Sequence, residues 1–556
     1  FNAGRTRIWT YGYNGIGQLT SVDGPLSGAG DMVSYTYNAQ GFVQTMTNEV
    51  GHVTTVTAWN YRGQPLSVTD PNGVVTTYAY DGMGRVTAVV LEPGAAQKAW
   101  ALTYTLAGDL STFTGPMGAS YTLTWDNARR LMAIQNNLGE RIDYTRDAMG
   151  SILTVAVKDA AAQTTFSETR FVDELGRLLR QSSYAPSVWK FAYDKTDKVA
   201  TVTDPRTKIV SYGYDAVGRA ITETERDAGV TTLGYNGKDE IASYKDPKNL
   251  STAYVRNGFG EIIQETSPDR GVTKYDHDAR GLMITTTDAR NIVTNMTYDN
   301  AGRILTKTYP SATALNVTYT YDSVVNGNVG KGRLTRMQDA SGSADYTYDG
   351  KGHLTKEVRT IAGVTHTIQY NYGGAGQLWD ITYPSGRQVR YGYDAIGRRN
   401  YVDIKRSVAS AEEVVINSAT YMPFGGIQGL DLGNGLGHWK SYELDYSVSG
   451  QALRNTTTNA LLWDSTPGYG ADRMNLVSLI DGVDSTKNQT FTYDDVGRLA
   501  SGIGAYGTRS YTYDKVGNRL TEVKTPSGGS ATTQAYAYTA SKNRIATVKQ
   551  GTTTLR

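Results

Sequence analysis

Hydrophobic and polar residues alternate in short runs that end at turn-forming residues. In residues 74–80, which are β-branched, aromatic or Ala, Tyr78 and Tyr80 lie two positions apart, on the same face of a strand. Residues 81–84 read Asp-Gly-Met-Gly, where Asp accepts backbone N–H groups and Gly adopts a positive φ without steric cost. Residues 85–90 then favour a strand again. The pattern therefore predicts a β-hairpin.

The same phrase recurs along the chain: aromatic, any residue, aromatic, Asp or Asn, two variable residues, Gly, and Arg or another polar residue. From Asp194 to Asp299 the acidic or amide position returns every 21 residues. Longer intervals elsewhere are expected if single loops lengthen. The best-preserved repeat positions are Tyr80, Asp81, Gly84, Arg85, Tyr214, Asp215, Gly218, Arg219, Tyr393, Asp394, Gly397, Arg398, Tyr493, Asp494, Gly497 and Arg498. The sequence therefore predicts a single tandem array over residues 1–556.

A second kind of turn closes each unit, as in the Asp-Pro-Asn-Gly of residues 70–73. A 21-residue unit with two strands and two turns has no room for a crossover helix, so neighbouring strands should be antiparallel. About 52 strands at about 4.8 Å each make a ribbon roughly 250 Å long, and open sheets of that width curl. We predict an all-β fold: a continuous antiparallel sheet of tandem hairpins that spirals into a hollow, barrel-like cocoon, with stacked tyrosines holding the register.

Composition supports this fold and excludes several classes of protein. The chain has 40 Tyr and 61 Gly against 9 Phe, and no Cys, so neither disulfides nor thiolate metal sites contribute to it. The net charge of +2 provides no global field for nucleic acid or anionic membranes, and no apolar run is long enough to span a bilayer. The chain starts at Phe1 rather than Met, and we expect it to be a fragment of a longer one.

Candidate chemistry is sparse, and we predict no catalytic, cofactor-binding or metal-binding residues. A glycan-cleaving carboxylate pair should be unique in its environment, whereas Asp81, Asp215, Asp394 and Asp494 occupy one equivalent turn position and are expected to cap turns. The arginines four residues later are expected to pair with those carboxylates or with carbonyls. The five histidines, His52, His277, His353, His366 and His438, lack metal-ligand spacing. Residues 433–437 lack the strand-turn-helix context of a phosphate loop.

The Tyr-x-Tyr-Asp-x-x-Gly-Arg phrase resembles the tyrosine-aspartate (YD) repeat of RHS-repeat proteins, and the resemblance covers essentially the whole chain. That family includes bacterial polymorphic toxins, cocoon components of insecticidal toxin complexes, type VI secretion effectors and teneurins. The resemblance implies a hollow shell around a C-terminal toxic domain, released by an aspartyl autoprotease with an Asp-Pro-x-Gly-Leu-x-Gly-Gly core. Residues 70–73 continue as Val-Val-Thr, so the core motif is not seen.

Two segments depart from the regular period. Residues 421–440 are glycine-dense and predict a bulged or distorted hairpin, with a ligand-binding loop as the alternative. Residues 407–415 favour either a short helix or an extended loop.

The leading hypothesis is that the chain is the encapsulation shell of a secreted bacterial RHS toxin and not an enzyme. Its expected partners are the enclosed toxin domain and a secretion machinery or chaperone, with no nucleic acid, cofactor or membrane span. The expected location is outside the cell or in a secretion system, with the cell surface as an alternative. The competing function is adhesion or glycan binding, with Trp379 and Trp439 as platforms. A carbohydrate-active enzyme is the third hypothesis.

Overall fold

The structure is a computed structural model, which describes residues 6–28, 30–92, 97–184 and 187–555. The described residues contain 49 β-strands in one continuous antiparallel sheet and three single 3-10 turns, Thr313–Leu315, Val325–Gly327 and Ser485–Lys487. Phe1, whose place at the start suggested a fragment, lies outside the described residues. The predicted all-β class and the continuous sheet of tandem antiparallel hairpins are confirmed.

Strands of five to seven residues predominate, as a 21-residue unit requires. In residues 10–256 they are β1 (Thr10–Tyr13), β2 (Leu19–Asp23), β3 (Val33–Tyr37), β4 (Val43–Thr47), β5 (Val53–Trp59), β6 (Pro65–Thr69), β7 (Val75–Tyr80), β8 (Val86–Leu91), β9 (Lys98–Tyr104), β10 (Leu110–Thr114), β11 (Ser120–Trp125), β12 (Leu131–Asn136), β13 (Arg141–Arg146), β14 (Ile152–Lys158), β15 (Thr164–Val172), β16 (Leu178–Tyr184), β17 (Ser187–Tyr193), β18 (Val199–Thr203), β19 (Ile209–Tyr214), β20 (Ala220–Thr224), β21 (Val230–Tyr235), β22 (Ile241–Lys245) and β23 (Ser251–Arg256).

The remaining strands are β24 (Ile262–Ser267), β25 (Gly271–His277), β26 (Met283–Thr287), β27 (Val293–Tyr298), β28 (Ile304–Thr308), β29 (Val317–Tyr321), β30 (Leu334–Asp339), β31 (Gly342–Tyr348), β32 (Leu354–Ile361), β33 (Val364–Tyr372), β34 (Leu378–Thr382), β35 (Gln388–Tyr393), β36 (Arg399–Lys405), β37 (Glu412–Tyr421), β38 (Ile427–Leu432), β39 (Leu436–Tyr442), β40 (Val448–Asn455), β41 (Leu461–Tyr469), β42 (Leu476–Asp481), β43 (Gln489–Tyr493), β44 (Leu499–Gly504), β45 (Gly507–Tyr513), β46 (Arg519–Thr525), β47 (Thr532–Tyr538), β48 (Ile545–Gln550) and β49 (Thr553–Thr554). Residues 407–410 form a turn in which Ser410 N donates to Ser407 O at 3.1 Å, and β37 begins at Glu412, so of the two alternatives for residues 407–415 the helix is wrong.

Each hairpin has the same internal register. In β7–β8, Tyr80 pairs with Val86 and Ala79 pairs with Ala88, so one extra residue enters the second strand as a bulge. The same shift precedes Tyr214 and Tyr393. A bulge increases the local right-handed twist, and its repetition bends the sheet in the same sense at each unit.

The chain divides into two compact units. Unit 1 comprises residues 1–123, 257–264 and 273–415, and unit 2 comprises residues 124–256, 265–272 and 416–556. Within each unit, an earlier and a later stretch of hairpins meet edge to edge. We call the earlier stretch the first row (residues 1–123 in unit 1 and 124–256 in unit 2). We call the later stretch the second row (residues 257–264 and 273–415 in unit 1, and 265–272 and 416–556 in unit 2). We call the turn after the Tyr-x-Tyr strand the tyrosine turn, and the turn that closes each repeat the linker turn.

Within both units, linker turns of the first row pack on tyrosine turns of the second row. In unit 1, Asn72 Oδ1 accepts a hydrogen bond from Lys331 N at 2.9 Å, and Asn72 Nδ2 donates to Lys331 O at 3.1 Å. In unit 2, Arg206 Nη1 donates to Asp494 O at 3.3 Å, and Lys208 Nζ lies 2.7 Å from Asp495 Oδ1. These contacts join residues 259 to 288 positions apart in the sequence.

The sheet is a single layer with little apolar core. Among the described residues, the buried hydrophobic side chains are Val74, Ala133, Val157, Val210, Ala344 and Met422. One face carries the tyrosines. The opposite face carries small polar residues, whose hydroxyls bond across strands, as between Thr36 and Thr45 at 2.6 Å and between Thr145 and Thr154 at 2.6 Å. Hairpin ladders and side-chain hydrogen bonds therefore replace a conventional core.

Candidate functional site

The tyrosine turn is the site that the repeat builds most often. At the end of β7, Asp81 Oδ1 accepts hydrogen bonds from the backbone N–H groups of Met83 and Arg85, both at 2.9 Å. Its Oδ2 accepts a hydrogen bond from Arg85 Nε at 2.7 Å. Gly84 closes the turn with a φ of 84°, which favours glycine, and its N–H donates to Asp81 O. The carboxylate therefore holds the backbone reversal and the arginine together.

The other well-preserved repeats have the same geometry. Asp215 and Asp394 each accept two backbone N–H bonds through Oδ1 and Asp494 accepts three, and all three carboxylates accept one arginine Nε bond through Oδ2, at 2.6 to 3.1 Å. The glycines at Gly218, Gly397 and Gly497 all have positive φ. The structure thus places the sequence-predicted repeat residues in equivalent turns that do not converge on one pocket. Their role as structural positions stays a prediction.

The carboxylates of Asp81, Asp215 and Asp494 have depressed pKa values. The backbone N–H of Arg85 and then the Arg85 side chain lower the pKa of Asp81, and Arg219 does the same for Asp215. For Asp494, burial would raise the pKa, but hydrogen bonds from Arg498 outweigh it and the net shift is downward. A carboxylate that stays ionised and accepts three strong donors is a poor general acid or base. This environment suits turn capping.

The second tyrosine of each phrase joins one hairpin to the preceding hairpin. Tyr80 Oη donates to Pro65 O at 3.0 Å, Tyr214 Oη to Val199 O at 2.9 Å and Tyr393 Oη to Leu378 O at 2.6 Å. In these three repeats the partner is the carbonyl 15 residues earlier, at the start of the preceding second strand, and Tyr493 Oη donates to the equivalent carbonyl of Leu476, 17 residues earlier. The hydroxyl therefore explains why Phe, which is rare in this chain, does not substitute freely for Tyr.

The arginine joins the same turn to the following hairpin. The Arg85 guanidinium lies 4.4 Å from the ring centroid of Tyr104, and the Arg219 guanidinium lies 4.6 Å from that of Tyr235. The expected ladder of directly stacked tyrosines is wrong for the described residues, whose ring pairs join no equivalent tyrosines of successive repeats. The arginine lies over the tyrosine ring of the following repeat, where a cation over an aromatic face is attractive.

The glycine-dense segment forms a hairpin around a tryptophan. Strands β38 and β39 pair in register, with Gly429 opposite Trp439, and the indole lies over Gly429 and Gly437 where a Cβ would collide with it. Trp439 is 38% exposed and Trp379 is 50% exposed. The β37–β38 pair has register shifts at Ile416/Ser418 and at Thr420/Tyr421, and the second resembles the bulges of the other repeats. The glycines therefore accommodate the indole.

Clusters of ionisable side chains lie at the contacts between the rows, and reasoning from local sequence did not predict them. His353 Nδ1 lies 2.9 Å from Asp349 Oδ2, and its Nε2 lies 2.8 Å from Lys98 Nζ. His52 Nε2 lies 3.5 Å from Asp322 Oδ2. Lys98 and His353 are 255 residues apart, and His52 and Asp322 are 270 residues apart. The two pairs share no motif, so the sequence contained no signal for them.

In residues 6–28, 30–92, 97–184 and 187–555, no group of three or more His, Cys, Asp or Glu side chains is arranged to hold a metal ion. The same residues contain no helix with the length and hydropathy to cross a membrane.

Comparison with known families decides the family of the chain. A model described as RHS Repeat matches residues 59–95, and a model described as Teneurin YD-shell matches residues 160–324 and 309–459, which together exceed half of the sequence. The chain belongs to the YD-shell family. No curated protein matches this YD-shell chain.

Solved structures share the fold at low sequence identity. The crystal structure of TcdB2-TccC3 is 15% identical, has a TM-score of 0.79, and is matched over 97% of this chain and 34% of its own. The version without the hypervariable C-terminal region is 13% identical, with a TM-score of 0.80 and coverage of 98% and 36%. The Tc holotoxin pore of Photorhabdus luminescens, with the mutation TccC3-D651A, is 14% identical, with a TM-score of 0.77 and coverage of 98% and 36%. The YD-shell chain therefore spans about a third of each of these chains.

Proposed function

We propose that this YD-shell chain is the wall of a capsule that encloses a toxic polypeptide until delivery. Membership of the YD-shell family and the similarity of the fold to Tc toxin components support the proposal. The cargo is a C-terminal toxin domain of the same bacterial RHS protein, which is exported or carried by a secretion system such as type VI. The shell acts by confinement, and its repeat residues have a structural and not a catalytic role.

The amount of exposed surface is the observation that carries this proposal. The chain exposes 29996 Å², whereas a compact monomeric protein of 60.4 kDa exposes about 19500 Å². Only six hydrophobic side chains are buried among the described residues, so few apolar groups are enclosed between packed layers. A single-layer sheet with water on both faces has the properties of a wall.

Protection of a tethered polypeptide tests the proposal. A flexible, protease-sensitive segment fused after Arg556 should resist a protease that digests the same segment on an unrelated monomeric carrier. Complete digestion of the segment at the unprotected rate, with the shell itself intact, would contradict encapsulation. Electron microscopy of the same sample gives an independent readout, because a solid, filled body would also contradict it.

A charge-reversal variant shows whether the protection depends on the contact between the two rows. Lys208 Nζ pairs with Asp495 Oδ1 at 2.7 Å, and Arg498 Nη2 pairs with Asp227 Oδ2 at 3.3 Å. The double variant Lys208→Glu and Asp227→Lys places like charges across the row contact in unit 2. It should increase digestion of the tethered segment, whereas the control Lys195→Glu, at the exposed tip of a first-row tyrosine turn, should not.

Adhesion or glycan binding is the second candidate function, and the exposed indoles of Trp379 and Trp439 favour it. Binding to a glycan array that disappears on Trp379→Ala would support it. Trp439→Ala is a weaker test, because that indole also covers Gly429 and Gly437. A chain that binds no glycan but protects the tethered segment leaves encapsulation as the function.

A further inference from the structure

A cavity of about 370 Å³ lies in unit 1, where the loop after β2 meets two turns of the second row. Small-molecule sites usually have volumes of about 300 to 1,000 Å³ and combine an apolar lining with a few polar groups. The lining of this cavity includes Trp9, Val22, Val33, Leu282, Asp31 and Glu49. The cavity therefore has the size and the mixed chemistry of a ligand site.

Asp31 has an incompletely satisfied carboxylate in the wall of this cavity. Its side chain lies against Gly24, which also lines the cavity, and a Cβ at Gly24 would lie 2.2 Å from Asp31 Oδ2 and 3.3 Å from Oδ1. Asp31 is only 9% exposed. Its Oδ2 accepts a hydrogen bond from Leu26 N at 3.1 Å, whereas Oδ1 has no hydrogen-bond partner among the described residues. Burial of a charge is costly unless the charge is paired, so this carboxylate favours a further donor.

The nearest cation in the wall is paired elsewhere. The Arg280 guanidinium lines the cavity, but its Nε and Nη2 lie 2.9 Å and 2.8 Å from Asp278 Oδ2. Its Nη1 donates to Asp299 O at 2.7 Å. Because Asp278 balances the charge of Arg280, this guanidinium does not offset the negative charges of Asp31 and Glu49. The cavity therefore favours a cationic ligand.

The available acceptors indicate which kind of cation fits. Two carboxylates line the cavity, and the described residues contain no group of three or more His, Cys, Asp or Glu side chains arranged for a metal ion. A guanidinium binds best to two carboxylate oxygens at once, whereas Asp31 Oδ2 already accepts the Leu26 N–H. A primary ammonium donates to single oxygens and is also attracted to the face of an indole such as Trp9. A primary ammonium therefore fits better than a metal ion or a guanidinium.

We propose that this cavity binds a primary alkylammonium compound, with the ammonium group on the Asp31 carboxylate and the aliphatic stem on the apolar part of the wall. That part includes Val22, Val33 and Leu282, and contact with them removes the apolar stem from water. The ammonium group belongs either to a free amine or to a lysine side chain. The proposal does not depend on whether the chain encloses a toxin or binds a glycan.

Isothermal titration calorimetry with hexylamine tests the proposal, and 1-hexanol is the neutral probe of matched length. The original chain should bind hexylamine and should not bind 1-hexanol. Asp31→Asn should weaken hexylamine binding by about tenfold or more, because a hydrogen bond to a charged group is lost. The control Glu174→Gln, which removes an exposed carboxylate in unit 2, should leave the binding unchanged.

A second variant separates loss of the site from loss of the fold. Gly24→Ala retains every charge but places a Cβ against the Asp31 carboxylate, so it should also weaken hexylamine binding. Circular dichroism should show the same β-sheet content for both variants and the original chain. Hexylamine should raise the thermal midpoint of the original chain and not that of Asp31→Asn, since a ligand stabilises only the state that binds it.

A third probe, Nα-acetyl-lysine methylamide, identifies the source of the ammonium group. Tighter binding of this probe than of hexylamine assigns the ligand to a lysine side chain, and weaker binding assigns it to a free amine. Binding of 1-hexanol as tight as that of hexylamine would overturn the proposal. So would the absence of hexylamine binding to the original chain, or unchanged binding in both Asp31→Asn and Gly24→Ala.

Discussion

Asp204 offers the sharpest test of how the rows are held, because its carboxylate is fully buried at a row contact. Its Oδ1 accepts hydrogen bonds from Arg206 N at 2.9 Å and Lys208 N at 3.0 Å. Its Oδ2 accepts hydrogen bonds from Arg206 Nη2 at 2.8 Å and Arg226 Nε at 2.9 Å. Arg206 also donates to Asp494 O in the other row. The carboxylate therefore neutralises two guanidinium groups and positions one of them on the second row.

The substitution Asp204→Asn keeps an oxygen for the two backbone donors but removes the negative charge. Its new NH₂ group would face two guanidinium donors in a buried site. Removing one partner of a buried ion pair costs about 3 to 5 kcal/mol. Such a loss accelerates hydrogen exchange through local opening by roughly two to four orders of magnitude.

Hydrogen exchange measured by mass spectrometry is the appropriate assay, because a repeat array need not unfold in a single transition. We expect faster exchange in residues 199–214 and, through Arg206, in residues 494–498. Asp215→Asn is the matched control, since Asp215 makes the same backbone contacts in an exposed turn that does not touch the other row. If both variants accelerate exchange equally and only in their own hairpins, the reasoning about burial and row contact is refuted.

Three further changes test the local network. Tyr393→Phe removes the 2.6 Å hydrogen bond to the preceding hairpin and should cost about 0.5 to 1.5 kcal/mol in a urea titration, whereas Tyr61→Phe, at an exposed tip, should cost less. Gly342→Ala should lower the thermal stability strongly, because φ is 147° and a Cβ would lie 1.7 Å from Thr360 O. Gly386→Ala should give a milder loss of thermal stability, because a Cβ at Gly386 meets no atom within 4 Å. Acidification should weaken the contact between Arg303 and Asp322 in successive turns of the second row. Burial would raise the pKa of Asp322, but hydrogen bonds from Arg303 and from the Gly332 N–H lower it on balance. The contribution of Asp322 to stability is therefore present above its unfolded pKa of about 3.9 and is lost as the pH falls through the lower folded value, which tryptophan fluorescence between pH 7 and pH 2 would detect.

Local structure could be predicted from the sequence because its signals lie within one 21-residue unit. The Tyr-x-Tyr alternation, the Asp that accepts backbone N–H groups and the Gly with positive φ all act over four or five positions. The partner of the Tyr80 hydroxyl was not predicted, since it requires the register between two hairpins. The placement of Arg85 over Tyr104 was missed for the same reason, although cation–π geometry at a fixed repeat spacing could have suggested it.

The row contacts could not be predicted, because no pattern in the sequence marks residues that meet after more than 250 positions. Lys98 and His353 belong to unrelated parts of their repeats, and the same holds for Asp246 and Asn543. Composition was also misleading in one respect. Abundant tyrosine suggested ring stacking, whereas the structure uses both the hydroxyl and the ring face for contacts with the preceding hairpin: Tyr235 Oη donates to Ala220 O, and the Arg219 guanidinium lies over the Tyr235 ring.

The two kinds of contact have different roles in specifying the fold. Contacts within and between successive hairpins repeat, so by themselves they would allow one row to slip along the other by a whole repeat at little cost. Contacts between rows do not repeat: Asn72 meets a backbone segment at Lys331, Lys208 meets a carboxylate and Asn543 meets Asp246. A slipped row would place buried charges such as Asp204 against the wrong partners, and an unpaired buried charge costs several kcal/mol. The irregular contacts therefore select one register from many that the repeat alone permits.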